Sequence, residues 1–222
     1  MKHTGHLLIH GGTVLPLAGG RQAEPADVLV QSDEIIAVGR NLAVPADAEF
    51  VDAGDALVVP GFIQSHVHVV QSLARHRAEG LQLLPWLRGR IWPYEAALAP
   101  AEVGAAASLG IAELLLGGTT AVLDMGTTHD QDQVFTAAQG LGIRFTSGKT
   151  HMDSGAGVPA DLLEDTGESL LEAERLAARW HGAAAGLLRY AVAPRFILSC
   201  SPELLTGCVR LARANGYLLH TH

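Results

Sequence analysis

Val58-Val59-Pro60-Gly61-Phe62 opens an apolar run that ends in His66-Val67-His68, and this stretch decides the fold. The proline and glycine mark a turn, and residues 62–70 after it predict a strand of the buried type. Side chains two residues apart on a strand share a face, so the two imidazoles point the same way. A boundary after residue 60 therefore separates an N-terminal part from one that begins with paired histidines.

Residues 1–60 have the pattern of short strands separated by turns. Five apolar or alternating runs predict strands, at residues 7–9, 13–15, 27–30, 34–38 and 50–51. Glycine-rich and aspartate-containing segments between them supply turn signals. None of the runs is long enough for a helix, so this part is predicted to be a small β-sheet domain.

Residues 61–222 alternate between strand and helix patterns. Strands are predicted at residues 62–70, 119–125, 143–152, 190–193 and 217–221, and helices at 100–116, 130–139, 169–179 and 202–214. Such alternation implies parallel strands joined by right-handed crossovers. A complete eightfold barrel takes about 250 residues, so five units need roughly 156, close to the length of this part. We expect an α/β fold with the first five units of a (β/α)8 barrel, and we interpret the chain as a fragment.

A second pair of histidines, His220-Thr221-His222, follows the fifth predicted strand. In a parallel barrel the C-terminal ends of the strands line the active-site mouth, where His66 and His68 also fall. Two such pairs at matching strand ends are hard to obtain by chance, and imidazoles are common ligands of divalent ions. The spacing therefore predicts a metal site before any family is considered.

The composition excludes several classes of protein. Hydrophobic residues make up 48% of the chain and charged residues 17%, which excludes a disordered chain. The net charge of −8 argues against a nucleic-acid or anionic-membrane partner. Cys200 and Cys208 form neither a disulfide framework nor a paired metal motif. No run reaches the roughly 18 apolar residues of a membrane span. We expect a globular, cytoplasmic protein that binds neither membrane nor nucleic acid.

A series of motifs runs in order along nearly the whole chain. They are Val58-Val59-Pro60-Gly61-Phe62 with His66-Val67-His68, Leu84-Pro85-Trp86-Leu87, Ile91-Trp92-Pro93-Tyr94-Glu95-Ala96, Gly117-Gly118-Thr119-Thr120, Ala193-Pro194-Arg195-Phe196, Ser199-Cys200-Ser201 and Leu219-His220-Thr221-His222. Together they resemble the amidohydrolase superfamily, in its branch of aminohydrolases acting on purines and related rings. Residues 90–125 resemble the 5′-deoxyadenosine and S-adenosylhomocysteine deaminases. Residues 66–71, 148–153 and 194–196 are similar to the guanine deaminases.

The resemblance implies a small β-sandwich-type domain, a barrel, and a mononuclear metal site held by His66, His68 and His222. His222 is chosen over His220 because the family's ligand stands three residues before a catalytic glutamate. That glutamate and the family's metal-binding aspartate would lie beyond His222, so no catalytic residue is assigned within this chain. The implied cofactor is one divalent ion, zinc rather than iron.

The implied reaction is hydrolytic deamination of a purine or purine nucleoside of the 5′-deoxyadenosine or adenosine type, with release of ammonia. A divalent ion supplies the nucleophile by lowering the pKa of its water to about 7. The open alternatives are a guanine deaminase, a triazine-type ring hydrolase, and a non-catalytic remnant or incomplete gene model. The resemblance further implies a small purine-type substrate and a homo-oligomeric parent protein, and we expect the isolated fragment to be inactive.

Six residues are candidates for contacts with the substrate: Gln71, Trp86, Glu95, Lys149, Arg195 and Phe196. Gln71 could hydrogen-bond a purine edge, Trp86 could stack on the ring, and Glu95 could accept hydroxyl hydrogens. Arg195 with Phe196 is similar to the guanine-type relatives, whereas adenosine-type relatives often carry histidine at the arginine position. Lys149 could face a substrate tail or a subunit interface, or form a plain ion pair.

Four further polar residues are not assigned to the site, although a polar role in the site stays open for Asp124. Asp124, at the end of the second barrel strand, is interpreted as a structural hydrogen-bonding residue. His129, His151 and His181 are expected at exposed loop or helix-end positions without a role.

Overall fold

The structure is a computed structural model that describes residues 5–17 and 22–222. The chain divides into two compact units, Met1–Gly61 and Phe62–His222. Each unit has its own sheet structure and its own apolar cluster.

The first unit consists of two small sheets. Its strands are β1 (His6–His10), β2 (Thr13–Val14), β3 (Glu24–Pro25), β4 (Asp27–Gln31), β5 (Glu34–Gly39), β6 (Glu49–Asp52) and β7 (Leu57–Val58). The four-stranded sheet has the order β5-β4-β1-β6, and the three-stranded sheet has the order β3-β2-β7. All five predicted strands are present. The two-residue strands β3 and β7 were not predicted, because a pattern of two residues carries no periodicity.

The second unit contains a parallel sheet of barrel type. Its strands are β8 (Phe62–Val67), β9 (Thr119–Asp124), β10 (Arg144–Ser147), β11 (Thr150–His151), β12 (Leu188–Pro194) and β13 (Leu218–Leu219). The order is β8-β9-β10-β12, with β11 and β13 also paired to β12, and every pairing is parallel. Strands β10 and β11 are two segments of one predicted strand. The predicted partial barrel of five strands is therefore confirmed.

Helices connect these strands and cover the sheet. They are α1 (Leu83–Trp86), α2 (Trp92–Ala97), α3 (Pro100–Leu116), α4 (Gln131–Leu141), α5 (Thr166–Trp180) and α6 (Pro202–Asn215), with 3₁₀ turns at Val69–Ala74, Ala160–Leu162 and Ala184–Gly186. Helix α3 has the bounds that its sequence predicts. Helix α6 begins where Ser201 accepts a hydrogen bond from Leu204 N, and ends at Gly216 with a φ of 68°. Serine and glycine are residue types typical of these two cap positions.

The core of the second unit lies between the sheet and helices α3 to α6. Phe135 on α4 stacks on Trp180 of α5, with ring centroids 5.4 Å apart, and meets Phe145 of β10 edge-on. Leu204 and Cys208 on α6 are fully buried in the same cluster. Each such side chain contributes about 1.5–3 kcal/mol when buried. This apolar layer holds the helices against the sheet. The polar residues of the candidate site lie outside it, at the C-terminal ends of the strands.

The first barrel strand is shorter than predicted. It ends at Val67, not at Val70, and the chain turns into the 3₁₀ helix Val69–Ala74. Asp124 causes this turn, since its carboxylate accepts a hydrogen bond from Val69 N at 3.0 Å. His68 therefore stands at the junction of strand and 3₁₀ helix instead of within the strand.

The third barrel strand is interrupted, and the fifth is short. Strand β10 ends at Ser147, and β11 begins at Thr150. A Cβ on Gly148 would lie 1.8 Å from the carbonyl oxygen of Ala191, so the chain passes β12 too closely for a side chain. The prediction of one strand over residues 143–152 was wrong here because this contact is tertiary. The fifth strand pairs only over Leu218–Leu219.

Helices α1 and α2, joined through a π-helical turn at Leu87–Ile91, were not predicted. Pro85 and Pro93 interrupt the pattern there. Pro93, however, lies in the first turn of α2, where a missing N–H costs little. No single helix in the described ranges is long and apolar enough to cross a membrane. One pair of helices, Leu83–Ala97 and Pro100–Leu116, has the length and apolar composition of a membrane span when the two are taken together, but the pair is bent by 112°.

Candidate metal centre and substrate pocket

The ends of the first and fifth barrel strands bring their imidazoles together. The centroid of the His66 ring lies 5.3 Å from that of His68 and 4.8 Å from that of His222. The rings of His68 and His222 stack at 5.1 Å with an interplanar angle of 14°. Residues 154 positions apart in sequence thus share one site, as two matching strand ends in a parallel barrel require.

The ligand atoms of His66, His68 and His222 face a common point. One ring nitrogen from each lies within 4.8 Å of the other two. Nε2 of His68 is 3.0 Å from Nε2 of His222. Two imidazole ligands bound to one zinc ion at about 2.0–2.1 Å each have a similar separation. Within the described residues, this is the one group of three or more potential ligands with such spacing.

The remaining ring nitrogens of these histidines contact the protein. Nδ1 of His222 donates to the carbonyl of Arg195 at 2.8 Å, and the backbone N–H of His222 bonds to the same oxygen. Nδ1 of His68 lies 3.3 Å from the amide nitrogen of Gln71. Nδ1 of His66 lies 2.8 Å from Nε2 of His220. The contacts of His66 and His222 are of the kind that orient metal-binding histidines, and they leave Nε2 of both rings for an ion. The Gln71 amide nitrogen also donates to Glu95 Oε1, so it acts as a donor to Nδ1 of His68.

Electrostatics favours the neutral form of two of these rings, His68 and His222. Burial, followed by the positive charge of Arg195, lowers the pKa of His68 well below its usual range. Burial also lowers the pKa of His222, against the hydrogen bond to Arg195 O. Neutral imidazole is the form that binds a metal ion. The donor set therefore fits one divalent ion held by one ring nitrogen from each of the three histidines.

A buried ion pair lies beside the histidines. Glu95 and Arg195 are 4% and 3% exposed, and Arg195 Nη1 donates to Glu95 Oε2 at 2.5 Å. Arg195 Nη2 and the Gln71 amide both donate to Glu95 Oε1, at 3.3 and 2.8 Å. Met152 Sδ lies 3.6 Å from Arg195 Nη1. The carboxylate of Glu95 is therefore already occupied by protein donors.

A pocket of about 300 Å³ adjoins both groups. Its lining consists of His66, His68, Gln71, Leu83, Trp86, Leu87, Arg195, Phe196 and His222. The half-buried rings of Trp86 and Phe196 belong to the apolar cluster that contains Trp92. Four of the six candidate substrate residues line this pocket: Gln71, Trp86, Arg195 and Phe196. Glu95 reaches the pocket only through its bonds to Gln71 and Arg195.

Lys149 lies apart from this pocket. Its ammonium group is 1% exposed, forms an ion pair with Glu164, and lies 3.1 Å from Ser169 Oγ. Nδ1 of His151 bonds to the same hydroxyl at 2.8 Å. Three interpretations were open for Lys149: a contact with a substrate tail, a subunit interface and an ion pair. The structure shows the ion pair, and the side chain does not reach the pocket.

The expected exposure of His151 was wrong. The residue is fully buried, and burial lowers its pKa well below the usual range. Its place in the two-residue strand β11, packed on both faces, explains the burial. His181 is exposed as expected, and its Nδ1 accepts a hydrogen bond from Tyr190 N at 3.2 Å. His129 is partly exposed beside Asp130.

Asp124 has the structural role that its position indicates. Its carboxylate accepts hydrogen bonds from Val69 N, Gly126 N and Ser147 Oγ, at 3.0, 2.9 and 2.7 Å. The group is 1% exposed, and burial raises its pKa to about 6 against those hydrogen bonds. It ties the ends of the first three barrel strands together.

Two features of the site were not found from the sequence. One is the contact of His220 with His66, and the other is the pairing of Glu95 with Arg195. The only sequence signal for the first was the spacing of His220 from His222, which places both rings on one side of the strand. The second carries no local signal.

The family follows from this geometry together with a direct comparison. The family model described as the amidohydrolase family matches residues 57–222. That is well over half of the chain, so the chain belongs to the amidohydrolase family. Enzymes of this family are metal-dependent.

Among its relatives is a protein of Symbiobacterium thermophilum named 5-methylthioadenosine/S-adenosylhomocysteine deaminase, 35% identical over 219 residues. The match covers 97% of this chain and 48% of that protein. The guanine deaminase structure from E. coli is 30% identical with a TM-score of 0.83, covering 98% of this chain and 52% of that one. A zinc complex of an atrazine chlorohydrolase from Arthrobacter aurescens is 28% identical, with a TM-score of 0.85 and coverages of 97% and 52%. The chain spans about half the length of these proteins.

Proposed function

We propose that the complete protein is a zinc-dependent hydrolytic deaminase of an adenosine-type purine nucleoside, with His66, His68 and His222 as metal ligands. The observation that carries the proposal is the convergence of the three rings, since one nitrogen of each lies within 4.8 Å of the other two. Such an ion supplies a water nucleophile at neutral pH. The nucleoside assignment draws on the 35% identity to the deaminase of Symbiobacterium thermophilum.

Residues of this chain would bind and orient the substrate. Trp86 and Phe196 offer aromatic faces to a planar ring, and Gln71 and Arg195 offer polar groups at the pocket wall. The proton-transferring glutamate and a further aspartate ligand belong, by the family pattern, to a part of the barrel outside this chain. We include in the proposal a cytoplasmic homo-oligomer. The net charge of −8 supports the absence of nucleic-acid and anionic-membrane partners from the proposal.

Guanine deamination is the second candidate, and the Glu95–Arg195 pair favours it. A ribose hydroxyl needs a free acceptor, but both oxygens of Glu95 already accept hydrogen bonds. Arg195 at the pocket wall suits the polar edge of a free base. A triazine-type substrate is a third possibility, which the likeness to the atrazine chlorohydrolase supports.

The deciding experiment measures ammonia release by the product of the complete gene with guanine, adenosine and 5′-deoxyadenosine. If the enzyme acts on nucleosides and Glu95 accepts a ribose hydroxyl when they bind, Glu95→Gln lowers nucleoside turnover more than guanine turnover. If it acts on guanine, Arg195→Ala abolishes that activity. Ratios between substrates for one variant are compared, because they cancel any loss of folded protein. Arg175→Ala, which removes an exposed arginine, is the matched control. Turnover of none of the three substrates would overturn both assignments and favour a triazine substrate or a non-catalytic remnant.

A further inference from the structure

His220 is the one imidazole of the cluster without a role in the proposed function. Its side chain is 7% exposed, and its Nε2 lies 2.8 Å from Nδ1 of His66. The two rings are nearly perpendicular, at 83°, with centroids 4.9 Å apart. The edge of the His220 ring is therefore directed at Nδ1 of His66.

The proton in this contact has one consistent position when His66 binds an ion through Nε2. Nδ1 of His66 must then carry the hydrogen, since a neutral imidazole has one N–H. It donates to Nε2 of His220, which is the acceptor. The hydrogen of His220 accordingly lies on its Nδ1.

The fold holds His220 in the required place. Its backbone N–H donates to the carbonyl of Val192 at 2.9 Å, next to the pairing of Leu219 with Val192 in β13 and β12. Nδ1 of His220 is buried and has no hydrogen-bond partner among the described residues, so the contact with His66 is the one that fixes the ring.

We propose that His220 is a positioning residue of the metal site, which accepts the Nδ1 hydrogen of His66 and so presents His66 Nε2 to the ion. The inference rests on the proposed metal site. His220 would then accept the Nδ1 hydrogen of His66, as the carbonyl of Arg195 accepts the Nδ1 hydrogen of His222. Outer partners of this kind typically contribute 10- to 100-fold to metal affinity.

Two variants of similar size test the proposal in the product of the complete gene. In His220→Gln the glutamine amide oxygen can occupy the position of Nε2 and accept the hydrogen of His66. In His220→Asn the shorter side chain places its oxygen only at the position of Nδ1, so this hydrogen bond is lost. Zinc affinity is measured by competition with a chromophoric chelator. We expect His220→Gln to stay within about 3-fold of the unmodified chain and His220→Asn to bind about 10- to 100-fold more weakly. His10→Gln, which removes an exposed histidine of the first unit, is the control and should change nothing.

A second measurement covers the case in which a variant fails to fold. Magic-angle-spinning ¹⁵N NMR of the zinc-loaded, unmodified chain reports which nitrogen of His66 carries hydrogen, whatever its state of association. Hydrogen on Nδ1, coupled to His220, supports the proposal. Hydrogen on Nε2, or a folded His220→Asn chain with unchanged affinity, overturns it. Absence of zinc binding by the unmodified chain would instead overturn the proposed metal site itself.

Discussion

Arg195 and Glu95 show how a single buried pair shapes the candidate site. Their side chains are 4% and 5% exposed, so neither charge has water to replace its partner. Removing one member of a buried pair costs about 3–5 kcal/mol, whereas replacing both by apolar groups is often neutral. A substitution of Arg195 therefore changes both the lining of the pocket and the stability of the fold.

We expect Arg195→Met to lower the free energy of unfolding by about 3–5 kcal/mol, because it leaves the Glu95 carboxylate buried without a counter-ion. The double variant Arg195→Met/Glu95→Leu should recover most of this loss. Urea unfolding followed by tryptophan fluorescence, at dilutions where the chain is monomeric, measures both. Arg175→Met, at an exposed site, serves as the control. Equal stability of the single and double variants would contradict the account.

Asp124 gives a pH dependence with a definite sign. Burial raises its pKa in the folded chain to about 6, above the value of about 3.9 in an unfolded chain. The folded state therefore binds the extra proton between these values, and its stability falls as the pH rises from about 4 to about 6. The loss is on the order of 3 kcal/mol.

Asp124→Asn removes this titration and keeps a hydrogen-bond acceptor for Val69 N. The difference between the unfolding free energies of the two chains, measured from pH 4 to pH 7, isolates Asp124 because all other groups are shared. We expect that difference to change by about 3 kcal/mol across the range. Parallel pH profiles would show that Asp124 titrates normally.

At the scale of elements, helices and strands with a regular apolar pattern could be predicted from the sequence, whereas the points at which strands are interrupted could not. Helix α3 and the caps of α6 follow from local signals, namely apolar spacing, Pro202 and Gly216. The histidine pairs follow from spacing and from their place at strand ends. Tertiary contacts set the remainder. Val69 leaves the strand through a bond to Asp124, and Glu95 pairs with Arg195, 100 residues away. Neither contact can be predicted from the residues near it in the sequence.

Gly148 is the sharpest of these tertiary constraints. A Cβ there would lie 1.8 Å from Ala191 O, which real structures do not show, so β10 and β12 must separate in Gly148→Ala. We expect a loss of several kcal/mol, on the scale of other severe core changes. Gly140→Ala is the control within helix α4, where a Cβ meets nothing within 4 Å. It should stabilise the chain by about 0.5–1 kcal/mol. Thermal unfolding of the two variants compares them, and similar effects would contradict the close approach.

At the scale of the whole molecule, the described sheet of the second unit has two open edges. Strand β8 pairs only with β9, and β13 pairs only with β12 within the described residues. Phe62 and Ile63 on β8 are 60% and 73% exposed, and Leu218 on β13 is 58% exposed. Unpaired strand edges with exposed apolar side chains promote association between chains.

We therefore predict that residues 1–222 on their own self-associate or precipitate and release no ammonia from purine substrates, even with zinc. Ile63→Lys combined with Leu218→Lys should reduce the association seen in sedimentation velocity, because charges block edge pairing. Leu116→Lys changes a leucine that is 90% exposed at the end of helix α3, and it should have no such effect. A cooperatively melting monomer that releases ammonia would contradict this prediction.

The central claim is that His66, His68 and His222 bind one divalent ion through their ring nitrogens, and zinc K-edge X-ray absorption on the zinc-loaded chain tests it most directly. The account predicts three imidazole nitrogens at about 2.0–2.1 Å, with the imidazole scattering reduced by one third in each of the three single alanine variants. Zinc bound without imidazole scattering, or a spectrum that the three substitutions leave unchanged, would contradict it.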